Sequence, residues 1–150
     1  MNLYPVETKR QIFAQIYVCN GCCCGQTGKG HPDVPVEWLK AEFKQRKLIR
    51  NVQITISGCL GPCDTPNVVG ILLPEAGMRW FGFLCEFWQY ESLVDWATDV
   101  KEAASPLPLP AWLNAHELDP FAGWKAKRDE NRLEGFGVEA CCVSTANPLG

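Results

Sequence analysis

The sequence predicts an α/β fold in which two parallel strands each end in a cysteine-bearing loop at one edge of a sheet. Three observations carry this expectation. The run Gln15-Ile16-Tyr17-Val18 leads directly into Cys19-Asn20-Gly21-Cys22-Cys23-Cys24-Gly25. The β-branched run Val52-Gln53-Ile54-Thr55-Ile56 leads into Ser57-Gly58-Cys59-Leu60-Gly61-Pro62-Cys63-Asp64. A helical pattern separates the two. A strand–helix–strand unit with the usual right-handed crossover makes its strands parallel and brings both following loops out at the carboxyl edge of the sheet.

Taken in order, residues 1–10 are a polar lead-in, and residues 11–18 are a strand apolar enough to be central in the sheet. Residues 19–33 form a loop broken by Gly21, Gly25, Gly28 and Gly30 and closed by Pro32. A helix is expected from Pro35 to Leu48, with Asp33 as its N-cap and Val36, Leu39 and Phe43 forming one apolar stripe. The second strand and its cysteine loop follow. Residues 67–73 and 78–84 are two further strands, joined by the turn Pro74-Glu75-Ala76-Gly77 as a hairpin. Residues 89–104 are a second helix with Leu93, Trp96, Ala97 and Val100 on one face. The order β-α-β-β-β-α is that of the thioredoxin-like folds.

The division expected is a thioredoxin-like domain over 1–104 and a connector with a C-terminal tail over 105–150. Alternating prolines at 106, 108 and 110 favour an extended connector. Beyond it, Ala111-Trp112-Leu113 and Phe121-Ala122-Gly123-Trp124 are aromatic patches in a polar tail, and they suggest docking on a surface of this subunit or another. Cys141-Cys142 near the end reads as an inert pair.

Composition narrows the function. A length of 150 residues suits one domain that buries roughly two thirds of its unfolded surface. A net charge of −3 with no basic stripe argues against nucleic acid. No segment approaches the ~20 apolar residues of a membrane helix, and the first ten residues lack the apolar core of a signal peptide. A cytoplasmic location is expected. There, nine cysteines read as metal ligands or redox thiols sooner than as a disulfide framework, and six of them lie in the two loops. Paired carboxylates, a nucleophile elbow and a phosphate loop are not evident, so an electron carrier is expected rather than an enzyme.

Cys19, Cys24, Cys59 and Cys63 give C-x4-C, a spacer of 34 residues, then C-x3-C. An iron–sulfur centre needs four thiolates, and its negative charge needs backbone N–H groups aimed at the sulfurs. Gly21, Gly25, Gly58 and Gly61 flank the thiols and let the main chain come close. Cys22 and Cys23 are alternatives to Cys24. A spacer of two residues, as between Cys19 and Cys22, makes a tight knuckle suited to zinc, while the wider loop to Cys24 suits a two-iron core. The rival readings are a zinc-stabilised interaction module, a thiol–disulfide redox protein built on Cys19-Asn20-Gly21-Cys22, and Cu(I) binding by the triple cysteine. His31 reads as a solvated loop residue, since no histidine lies near Cys59 or Cys63 to complete a mixed site. Cys85 reads as a buried small hydrophobe.

Over residues 11–104 these motifs resemble the thioredoxin-like 2Fe–2S ferredoxins, the family that includes the small iron–sulfur subunit of respiratory NADH dehydrogenase. By motif matching, Cys59, Cys63 and Cys19 carry over as cluster ligands, and Cys24 fits the C-x4-C form with Cys23 as close contender. The resemblance implies a 2Fe–2S cofactor, one-electron transfer between redox partner proteins, and often a homodimer. The aromatic run from Trp80 to Trp88 supplies surface that such a dimer would shield. The resemblance also leads one to expect a cis proline at Pro66, just before the third strand.

Overall fold

The computed structural model describes residues 3–21, 23–62 and 64–128. Cys22, Cys63, Cys141 and Cys142 lie outside the described residues. The first strand, β1 (Ala14–Cys19), alternates buried Ala14, Ile16 and Val18 with half-buried Gln15 and Tyr17, the period of a pleated strand covered on one face. The next strand, β2 (Val52–Ser57), pairs with it in parallel, from Ala14 opposite Val52 to Cys19 opposite Ser57. Strand β3 (Val69–Leu73) runs antiparallel on the other side of β1, and β4 (Gly77–Phe81) forms the expected hairpin with it. A two-residue strand, β5 (Glu117–Leu118), adds to β4, completing a mixed sheet of order β2-β1-β3-β4-β5.

The helix between β1 and β2, α1 (Val36–Gln45), buries Leu39 and Phe43 of the expected stripe, whereas Val36 is only half-buried. It is shorter than its pattern suggested. Asp33 does not cap it, and the residue before the first turn is Pro35, which has no side-chain acceptor. At the other end Lys47 turns left-handed (φ 54°) and a 3-10 turn over Leu48–Arg50 follows. That turn buries Leu48 completely, so core packing ends the helix before its helix-forming residues run out.

The long helix α2 (Phe87–Ala103) buries Leu93, Trp96, Ala97 and Val100 as expected, together with Gln89, Tyr90 and Val94. It begins two residues earlier than its apolar face suggested, because Gln89 reaches back and accepts the Glu86 N–H at 2.8 Å. Arg46 ties the two helices together through Glu42, Asp95 and Thr98, while Lys101 donates to the Arg46 carbonyl at 2.7 Å.

Residues past the proline-rich connector pack on this same subunit. Trp96 donates to the Pro108 carbonyl at 2.8 Å, Trp112 donates to Ser92 at 2.8 Å, and Leu113 is fully buried. His116 accepts the Gly82 N–H on its backbone carbonyl and donates from Nδ1 to the Gly82 carbonyl. A 3-10 turn over Ala111–His116 thereby delivers β5 to the sheet, and a final short helix, α3 (Ala122–Arg128), follows. Within the aromatic run, Phe81 belongs to the core, whereas Phe87 and Trp88 stay about half exposed. The cis peptide bond lies between Pro66 and Asn67, one position beyond the bond expected. Among the described residues no helix is long and apolar enough to cross a membrane.

Candidate functional site

The two cysteine loops meet because their strands end side by side. Cys19 closes β1 opposite Ser57 at the end of β2, and the register is carried one step further by the Asn20 N–H, which donates to the Ser57 carbonyl at 3.0 Å. Beyond that point the main chains come into contact. A Cβ added at Gly21 would stand 2.9 Å from the Cys59 nitrogen and 3.3 Å from the Gly58 carbonyl carbon. Only glycine allows so close an approach.

The first loop is tied to itself. The Gly21 N–H donates to the Cys24 carbonyl at 3.2 Å, and the Gln26 amide donates to the Gly21 carbonyl at 2.5 Å. His31 donates from Nδ1 to the Cys23 carbonyl at 2.6 Å, so its ring braces the loop from a half-buried position. Gly25 takes a left-handed conformation (φ 76°) immediately after Cys24. These bonds tie Gly21 to Cys24 and Gln26 and fold residues 23–31 into a compact turn that no strand or helix periodicity announces.

Cys19 and Cys24 are both buried, at the inner end of the site, and their side chains are hydrogen-bonded to each other. The Cys24 thiol donating to it lowers the Cys19 thiol to about 6, helped by the Leu60 N–H and opposed by burial. The same bond raises Cys24, burial adds to this, and the Val68 N–H at 3.3 Å partly offsets both. The pair thus parts easily with one proton and holds the second. Cys59 is exposed at the rim and accepts the Gly61 N–H at 3.4 Å. Each of these three sulfurs receives a backbone N–H, and the donor to Cys19 comes from the other loop.

The structure therefore brings Cys19 and Cys24 together and lays the Cys59 loop against them. Among the described residues no three His, Cys, Asp or Glu side chains gather into a metal-holding group. Of the expected quartet, Cys63 lies outside the described residues, as does Cys22 of the alternatives. Cys23 is half-buried and carries a thiol like Cys19, Cys24 and Cys59. The donor set available is all sulfur with N–H support, the chemistry that soft thiophilic centres require.

Two residues depart from what the sequence suggested. Cys85, expected to be a buried small hydrophobe, is only half-buried and is disulfide-bonded. Asn67 is completely buried beside the first loop, where its side-chain oxygen accepts the Gly25 N–H at 2.9 Å. Thr65-Pro66-Asn67 reads as turn chemistry, and that signal points to the surface rather than the interior. Compared with models of protein families, with curated proteins and with solved structures, the chain matches none of them.

Proposed function

We propose that this protein is a one-electron carrier that holds a 2Fe–2S cluster through Cys19, Cys24, Cys59 and Cys63 and passes electrons between redox partner proteins. The observation that carries the reading is the backbone contact between the two cysteine loops, with an N–H donor supplied to each of the three described sulfurs. The order β2-β1-β3-β4, with β1 parallel to β2 and antiparallel to β3, supports a thioredoxin-like framework for the site. A bound 2Fe–2S cluster supplies reversible one-electron chemistry.

The residues of the chain do the rest. Cys19 and Cys24, both buried, offer ligands on the dry side, where N–H groups from Leu60 and Val68 favour the thiolate over the thiol. Cys59, exposed at the rim, gives a partner protein a side of the site to approach. Gly21 keeps the two loops at the separation that shared ligation needs.

Protein purified without oxygen is expected to hold about two irons and two sulfides per chain, and to be red-brown and bleached by dithionite. A colourless protein with stoichiometric zinc, made with ample iron, would establish the zinc-stabilised module instead. Within the triple cysteine, Cys24→Ala is expected to lose or distort the cluster and Cys23→Ala to retain it, because the Cys24 side chain is hydrogen-bonded to Cys19. Visible circular dichroism of the two variants decides between them, and the opposite order of effects transfers the ligand role to Cys23.

A further inference from the structure

Asn67 and Gln89 are the buried polar residues of the described core, and Asn67 has no exposed surface at all. Its carboxamide is used on both sides. The oxygen accepts the Gly25 N–H at 2.9 Å, and the nitrogen faces the carbonyls of Pro32 at 3.0 Å, Asp33 at 3.2 Å and Leu84 at 3.3 Å. One side chain thus joins the residue after Cys24, the exit of the first loop, and the link between β4 and α2. The main chain continues the grip, since the Val68 N–H donates to the Cys24 sulfur and the Val68 carbonyl accepts the Cys19 N–H at 3.1 Å. Two consecutive residues before β3 therefore hold two consecutive residues of the first loop.

A buried amide with this many partners is costly to form unless all are satisfied, and costly to remove once they are. An apolar side chain would fill the same space in a purely structural core. Next to Asn67, the Tyr90 hydroxyl is buried without a hydrogen bond of normal geometry among the described residues, and burial raises it further from ionisation. The polar demand at this spot is thus met by Asn67, whose oxygen points at the loop.

We propose that Asn67 is a positioning residue for the metal centre. It fixes the left-handed turn at Gly25 and so sets where the Cys24 sulfur stands relative to Cys19. The proposal rests on the reading of this site as a cluster centre.

The test uses the full chain with Asn67→Ser, whose hydroxyl is too short to reach Gly25. Leu113→Ala, in the core but remote in sequence from either cysteine loop, serves as the comparison for lost stability. Hydrogen exchange of the Gly25 amide in metal-free protein is the first readout. Visible circular dichroism and the reduction potential of the loaded protein are the second. Asn67→Ser is expected to speed Gly25 exchange at least about tenfold beyond the Leu113→Ala control and to change the spectrum and potential. Gly25 exchange in Asn67→Ser matching the control overturns the proposal, and so does faster exchange with an unchanged spectrum and potential. If the parent itself takes up no cluster, the functional reading fails, while the exchange measurement still decides whether Asn67 fixes the loop.

Discussion

Replacing Gly21 with valine is expected to strip the cluster from the protein while leaving its sheet folded. A Cβ at this position meets the Cys59 nitrogen at 2.9 Å, the Gly58 carbonyl carbon at 3.3 Å and the Cys59 Cα at 3.4 Å. All three are backbone atoms, so no side chain can swing aside. The strands behind them are locked in register as far as Cys19 and Ser57, which leaves the loops themselves to separate. Gly21 also bonds the Cys24 carbonyl and the Gln26 amide, so its displacement reaches the ligands on both loops. Losing a partner that orients a metal ligand costs roughly 10–100-fold in affinity, and pushing two ligand loops apart should reach the upper part of that range. Gly28→Ala and Gly58→Ala are the controls, since a Cβ at either site meets nothing within 4 Å. Iron and sulfide per chain, read beside far-ultraviolet circular dichroism, test this directly. Parental loading in the Gly21→Val protein would show that the contact between the loops does not set ligand geometry.

Leu113→Ala is expected to cost about 2–5 kcal/mol of stability, the range for emptying a fully buried leucine site. Domains of this size are stable by only about 5–15 kcal/mol, so the loss is a large share of the total. Leu113 lies beyond the proline-rich segment, yet none of it is exposed. Its surroundings are fixed by the Trp112–Ser92 bond at 2.8 Å and by Arg79, which binds Glu117 through two nitrogens at 2.6 and 2.9 Å. By contrast, Phe121→Ala and Trp124→Ala should each fall within about 0.5 kcal/mol, because those rings are 65% and 59% exposed. Urea midpoints of the three variants provide the measurement. A Leu113→Ala midpoint equal to those of the surface variants would mean that residues 111–118 do not contribute to the folded core.

The order of the elements, the parallel pairing of the first two strands, the hairpin and the core face of α2 are legible in the residues alone. These are local patterns of period two or 3.6, with turn residues between them, and such patterns survive translation into structure because each reflects one buried face. The residues alone also place Cys19 and Cys59 on loops leaving adjacent strands, since a right-handed crossover leaves little choice. The rest depends on contacts between residues far apart in the chain. Leu48 ends α1 early because its side chain fills the core, a demand set by distant residues that outweighs the helix preference of Arg46 and Lys47. Trp112 and Leu113 looked alike as aromatic and apolar tail residues; the sheet edge at β4 determined that they dock on their own subunit. Asn67 had the local signature of a turn, and it became a buried clamp because the first loop, 42 residues earlier, presents the Gly25 N–H to it. Long-range pairing of this kind leaves no periodic trace, since the partners of a buried polar group are chosen by where the chain returns in space.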